Sequence, residues 1–154
     1  QEKIEMKSYK SFVTAALGAI VLMMVLACGG SSTPVPISGI PIYPGATDLE
    51  TGDNPLVDMI VGAMEETAAE DETIEAQFAF YALPEDTSWD DVKRFYNDKM
   101  EESDWKATDE ILEESDVFSM IGWERSKQAV GVGYVPAGSE MESATLLIML
   151  ATEN

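Results

Sequence analysis

Apolar positions change period several times along this chain, and each change predicts an element. Phe12 to Leu26 is a nearly continuous apolar run behind Lys7 and Lys10. Gly29 to Gly39, GGSSTPVPISG, loses all periodicity, and its Gly, Ser and Pro content predicts a tether. Ile40-Pro41-Ile42-Tyr43-Pro44 is apolar, but two prolines remove ladder donors, so it predicts an arm or short edge segment, with Pro44-Gly45 as a turn. After Asp53-Asn54-Pro55, a helix start, Leu56, Met59, Ile60, Ala63 and Met64 recur at helical spacing. That helix is expected to fade in the acidic run Glu65–Glu72, at the negative end of its dipole.

Thr73 to Leu83 switches to period two, with Ile74, Ala76, Phe78 and Phe80 on one face and Glu75 and Gln77 on the other, and so predicts a strand. Thr87-Ser88-Trp89-Asp90-Asp91 then gives the hydroxyl-then-acid spacing of a capping box. The helix it opens is expected to run to about Ser103, burying Trp89, Val92, Phe95, Tyr96 and Met100. Trp105 begins a return to the sheet, and Asp109–Asp116 reads as an acidic irregular stretch anchored by Ile111 and Leu112. Val117–Arg125, Gln128–Val135 and Ala144–Thr152 predict three strands. Apolar residues on both faces of the last mark it as central or helix-covered. Gly131 and Gly133 share a face and leave room for a helix or a bulky ring. Strands joined by short turns predict an α+β domain: an antiparallel sheet of about four strands with two helices packed on one face.

Charge narrows the partners. The chain carries 9 basic and 29 acidic residues, no His and one Cys. Residues 1–27 hold Lys3, Lys7, Lys10, Glu2 and Glu5, so the remainder keeps 6 basic and 27 acidic residues, net about −21. Such a surface repels nucleic acid and anionic lipid headgroups. The 15 residues from Phe12 to Leu26 fall short of the ~20 that a membrane-spanning helix needs. A basic start, a short apolar middle and small residues near the cut describe a secretory signal peptide.

Val25-Leu26-Ala27-Cys28 resembles the lipobox of bacterial lipoproteins. The resemblance implies cleavage before Cys28, thioether lipidation of its sulfur and acylation, palmitate included, of the new amine. Ile42-Tyr43-Pro44-Gly45-Ala46, and Val92-Lys93-Arg94-Phe95-Tyr96 leading to Trp105, are similar to segments of small uncharacterised lipoproteins of environmental bacteria. These are packing and turn residues, and they imply a fold without a substrate. The expected organisation is upstream residues 1–5, signal peptide 6–27, tether 28–39 and one α+β domain 40–154.

Chemistry is sparse. Without His, Ser-His-Asp and Cys-His arrangements are impossible. With Cys28 lipidated, no cysteine is left for a disulfide or a zinc site. Asp48, Glu50, Asp53 and Asn54 crowd one loop, and Asp48, Glu50 and Asp53 form the candidate calcium site, although Asp53 and Asn54 are better explained as helix caps and the spacing departs from the EF-hand pattern. No cofactor is expected. The sequence thus points to a lipid-anchored extracytoplasmic protein of the cell envelope, in the cell membrane or outer membrane, acting as a non-catalytic interaction or binding module for an envelope protein partner. The alternative is a small carboxylate-based calcium-binding domain or hydrolase.

Overall fold

The computed structural model describes residues 33–50, 52, 55, 57–59, 61–62, 74–138 and 143–153, with the backbone alone at 109–113. Six strands form one sheet: β1 (Thr47–Asp48), β2 (Ile74–Ala82), β3 (Lys106–Glu114), β4 (Ser119–Arg125), β5 (Gln128–Val135) and β6 (Thr145–Glu153). Their spatial order is β1-β2-β6-β5-β4-β3, and every neighbouring pair is antiparallel. Helix α1 (Trp89–Glu101) carries the chain from β2 across the sheet to the far edge at β3. The α+β class and the antiparallel sheet follow the pattern in the sequence; the strand count is six rather than about four.

β6 lies between β2 and β5 and is buried on both sides, as its two apolar faces predict. Leu146, Ile148 and Leu150 join a cluster with Val92, Tyr96 and Met100 of α1. Leu147, Met149 and Ala151 join a second cluster with Val57. Successive side chains of a strand point to opposite faces, so the two clusters lie on opposite sides of the sheet. Pro55, Val57–Met59, Val61 and Gly62 are helical, and this segment covers the face away from α1. The expectation of two helices on one face is therefore corrected: each face has its own. Apolar β2 residues alternate between the clusters, with Phe78 and Phe80 on one side and Ala79 and Tyr81 on the other, so both sides need a lid. Val57, off the expected stripe, is only 1% exposed, and Met59 and Val61 pack beside it. Leu56, Ile60, Ala63 and Met64 lie outside the described residues.

Two elements escaped the sequence pattern. β3 occupies the stretch expected to be irregular, although its ladder breaks where irregularity was expected. Thr108 pairs with Gly122 and Glu113 with Met120, so five steps along β3 match two along β4. β1 pairs only at Thr47 with Ala82 and Asp48 with Tyr81, extended by the Leu49 N–H donating to the Phe80 carbonyl at 2.9 Å.

The long helix is locally encoded. Ser88 is its N-cap, and the Asp91 N–H donates to the Ser88 hydroxyl at 3.3 Å while the Ser88 N–H donates to the Asp91 carboxylate at 3.3 Å. The Ser88 hydroxyl also donates to the Asp91 carboxylate, and this bond first, with the Ser88 N–H second, holds the Asp91 carboxyl below its ordinary range. At the other end Asp104 takes φ 60°, and the Trp105 N–H donates to the Met100 carbonyl at 3.1 Å. This is the long return bond of a Schellman-type stop, with Trp105 folded onto Met100 in the core. Gly133 is the other tight point. A Cβ there would meet the Phe118 ring at 3.0 Å, so the glycine face does admit a ring.

Candidate functional site

The most fully built polar feature outside the regular ladder is the seat of the N-terminal arm on the sheet. Gln128 opens β5 immediately after the β4–β5 hairpin and is 5% exposed. Its side-chain amide reads the arm as a neighbouring strand would. The Val35 N–H donates to Gln128 Oε1 at 2.8 Å, and Gln128 Nε2 donates to the Val35 carbonyl at 2.9 Å. Nε2 also donates to the Thr152 hydroxyl at 3.0 Å, which fixes the amide's orientation. A short 3-10 turn, Ile37–Gly39, follows, and the Ile37 N–H reaches Gln77 Oε1 at 3.4 Å. Val35 and Ile37 pack against the α1-side core, and Ile40 is buried within it. Residues 35–39, expected within a flexible tether, belong to the folded domain.

Beyond the seat, the arm runs under α1. Tyr43 meets Phe95 edge-on at 5.3 Å, Phe95 meets Tyr96 at 5.0 Å, and Tyr96 lies 6.3 Å from Trp123. The arm then turns at Pro44-Gly45, where Gly45 has φ 79° and the Ala46 N–H donates to the Tyr43 carbonyl at 3.1 Å. Proline followed by a positive-φ glycine is the type II pattern, and it aims Thr47 into β1. The turn is as the sequence predicts.

Aromatic residues fill this side. Trp105 and Trp123 are buried, and Trp89 and Phe95 pack on the core. They act here as packing groups, as expected for core or rim aromatics. Trp89 stacks at 5.9 Å on Tyr134, with the Lys93 ammonium 5.7 Å from its ring centre. Two buried polar atoms, Trp89 Nε1 and the Tyr96 hydroxyl, lack hydrogen-bond partners among the described residues. Burial pushes the Tyr96 phenol well above its ordinary pKa, with the Tyr81 phenol adding to the effect. The Tyr43 backbone approaches the hydroxyl and tempers the shift, but without the geometry of a hydrogen bond.

Of the candidate calcium ligands, Asp48 is exposed on β1 and Glu50 is exposed just beyond it, while Asp53 lies outside the described residues. The negative charge of Asp48 adds to burial in raising the Tyr81 phenol. Asp58, which the sequence reading did not single out, accepts the Gly52 N–H at 2.7 Å and braces the loop. Among the described residues, no group of three or more carboxylate, His or Cys side chains is gathered closely enough to hold a metal ion. Cys28 and its lipobox also lie outside the described residues. Among those described, no helix is long and apolar enough to cross a membrane.

The arm seat was missed from sequence because Gln128 reads there as the first residue of a strand. The one available signal was an amide side chain in an otherwise apolar strand, which needs a buried partner. No protein-family model matches the chain, and comparison with curated proteins and with solved structures finds no match.

Proposed function

We propose that this chain is a lipid-anchored extracytoplasmic protein of the bacterial cell envelope, held by a lipid on Cys28 and acting as a non-catalytic interaction module. The observation that carries the reading is Val25-Leu26-Ala27-Cys28 at the end of a short apolar run with a basic start, followed by Gly-Gly-Ser-Ser. A lipid-anchored domain needs chain between lipid and fold, and the arm supplies a defined point at which that chain joins the sheet. The acidic balance suits a domain whose partners are proteins rather than nucleic acids.

Expression of the full chain and of Cys28→Ser in a bacterial host with radiolabelled palmitate tests the reading. The parent is expected to take up label and shift to the processed mobility, and the variant to remain an unlabelled, uncleaved precursor. Equal labelling and processing of the two would falsify lipidation at Cys28.

A further inference from the structure

The arm is tied to the sheet by a different kind of bond from those that join the strands. Among the described residues, the hydrogen bonds from residues 33–39 to the strands run through two side-chain amides: Gln128 with Val35 at 2.8 and 2.9 Å, and Gln77 with Ile37 at 3.4 Å. Two further bonds stay inside the arm, from the Gly39 N–H to the Pro36 carbonyl at 2.8 Å and from the Ile40 N–H to the Ile37 carbonyl at 3.0 Å. Pairing with a strand begins only at Thr47. Burial changes within the same stretch. Thr33, Pro34, Pro36, Ser38 and Gly39 are exposed and Val35 and Ile37 are half-buried, whereas Ile40 is 3% exposed.

Both amides also have a partner that belongs to the sheet. Gln128 Nε2 donates to the Thr152 hydroxyl at 3.0 Å, and Gln77 Nε2 donates to the Glu75 carboxylate at 3.2 Å. When the arm lifts, these bonds keep the amides in place, and water reaches Gln128 on the side that Val35 vacates. Departure of the arm therefore strands no polar group in the core, and the seat stays built for its return. Lifting residues 33–39 breaks three hydrogen bonds and uncovers two half-buried aliphatic side chains, while it restores the backbone freedom of seven residues. Opening β6 would break the ladders on both its sides and expose Leu146, Ile148 and Leu150. The two events lie far apart in free energy.

We propose that residues 33–39 are a latch that opens and closes on a sheet that stays folded, giving the link between Cys28 and the domain two lengths. Closed, the link ends at Val35, seven residues from Cys28; open, it ends at buried Ile40, twelve residues away. Extended chain covers at most ~3.5 Å per residue, so opening adds up to about 17 Å. The use of the second length rests on lipidation at Cys28, because an anchored domain gains stand-off from the membrane by it. The opening itself is a property of the fold.

Amide hydrogen exchange, resolved to single residues by NMR, tests the latch in full-length protein made in a lipidating bacterial host and held in detergent micelles. In a series of low urea concentrations, the Val35, Ile37 and Gly39 amides are expected to exchange at rates that do not rise with urea. The Leu146–Leu150 amides are expected to exchange at least about a hundredfold more slowly. Two variants address the seat from opposite sides. Gln128→Ala removes the amide, and Gly39→Ala adds a Cβ that would meet Val35 Cγ1 at 2.7 Å and push from within the arm. Each is expected to speed Val35 exchange about tenfold or more while the Leu49 and β6 amides keep their rates. Gly39→Ala alters no strand, so it carries the test if Gln128→Ala does not melt cooperatively. Val35 exchange that rises with urea in step with β6 shows that arm and sheet open as one, and overturns the latch. Unchanged Val35 exchange in both variants overturns the Gln128 seat as what holds it. The expected pattern in protein whose mass lacks the lipid supports the opening and overturns the anchoring reading, together with the stand-off that depends on it.

Discussion

The two faces of the sheet are built from different materials. The α1 face holds all three tryptophans of the chain, with Tyr81 and Tyr96 buried among them and Tyr43, Phe95 and Tyr134 at the margins. The opposite face is filled by Met120, Met149, Leu147, Ala129 and Ala151, with Phe78, Phe80 and Phe118 as its rings. The α1 face also has a lid whose ends are fixed by local hydrogen bonds, the Ser88–Asp91 box and the stop at Trp105, and an arm latched by Gln128. Aromatic rings have fixed shape and specific contact geometry, whereas unbranched methionine fills irregular gaps. The difference teaches that the α1 face is the less able of the two to close over a lost side chain.

The largest effect that tests this comparison is truncation of Trp123, 2% exposed at the centre of the aromatic side. Trp123→Ala is expected to cost about 3–5 kcal/mol, because Tyr96 and its stiff neighbours cannot close the cavity. Met149→Ala on the other face is expected to cost less, about 2–3 kcal/mol, the low end for a buried methionine, because Met120 and Leu147 can shift into the space. Urea melts of both variants, compared at equal m-value, decide it. A larger loss for Met149→Ala would show that the methionine face is the stiffer one and would break the comparison.

The same contrast sets how much could be read from sequence. α1 and its stripe were legible because the capping residues, the 3.6-residue period and the flanking turns agree. β2, β4, β5 and β6 were legible from alternation or from apolar runs, and β6 was read as doubly covered because both its parities are apolar. β3 was hidden by its composition. Lys106–Glu114, KATDEILEE, is acidic and poor in β-formers, and its strand state comes from pairing with β4. Its position explains the charge, since acids along an edge strand discourage pairing with other chains. Sidedness was not legible either. A helical stripe says that one face is buried but not which side of the sheet it meets, and that depends on long-range pairing of β2 with β6. Of the candidate site residues, Cys28 and Asp53 lie outside the described residues, and no local pattern predicts the Gln128 latch, which joins residues 93 positions apart.

The smallest expected effect is the most pointed, because it probes a flaw inside the aromatic face. The Tyr96 ring is fully buried, yet its hydroxyl has no hydrogen-bond partner among the described residues. Removing an unpaired buried hydroxyl while keeping the ring costs little, so Tyr96→Phe is expected to leave stability at pH 7 unchanged or raise it by up to ~1 kcal/mol. Its pH dependence is more informative. Burial raises the phenol above its ordinary value of 10.0, so the folded protein keeps the proton where the unfolded chain releases it. The unfolded state then binds fewer protons, and stability falls as pH rises through that window and is flat below it. Tyr96→Phe is expected to shallow this alkaline fall without abolishing it, because burial also raises Tyr81 and Tyr134. Urea melts from pH 7 to pH 11 on parent and variant make the measurement. A loss well above ~1 kcal/mol at pH 7 would mean that the hydroxyl has a bonding partner, on the scale of a satisfied buried hydrogen bond. In that case the aromatic face is a polar network rather than a ring-packed core, and its contrast with the methionine face has a different origin.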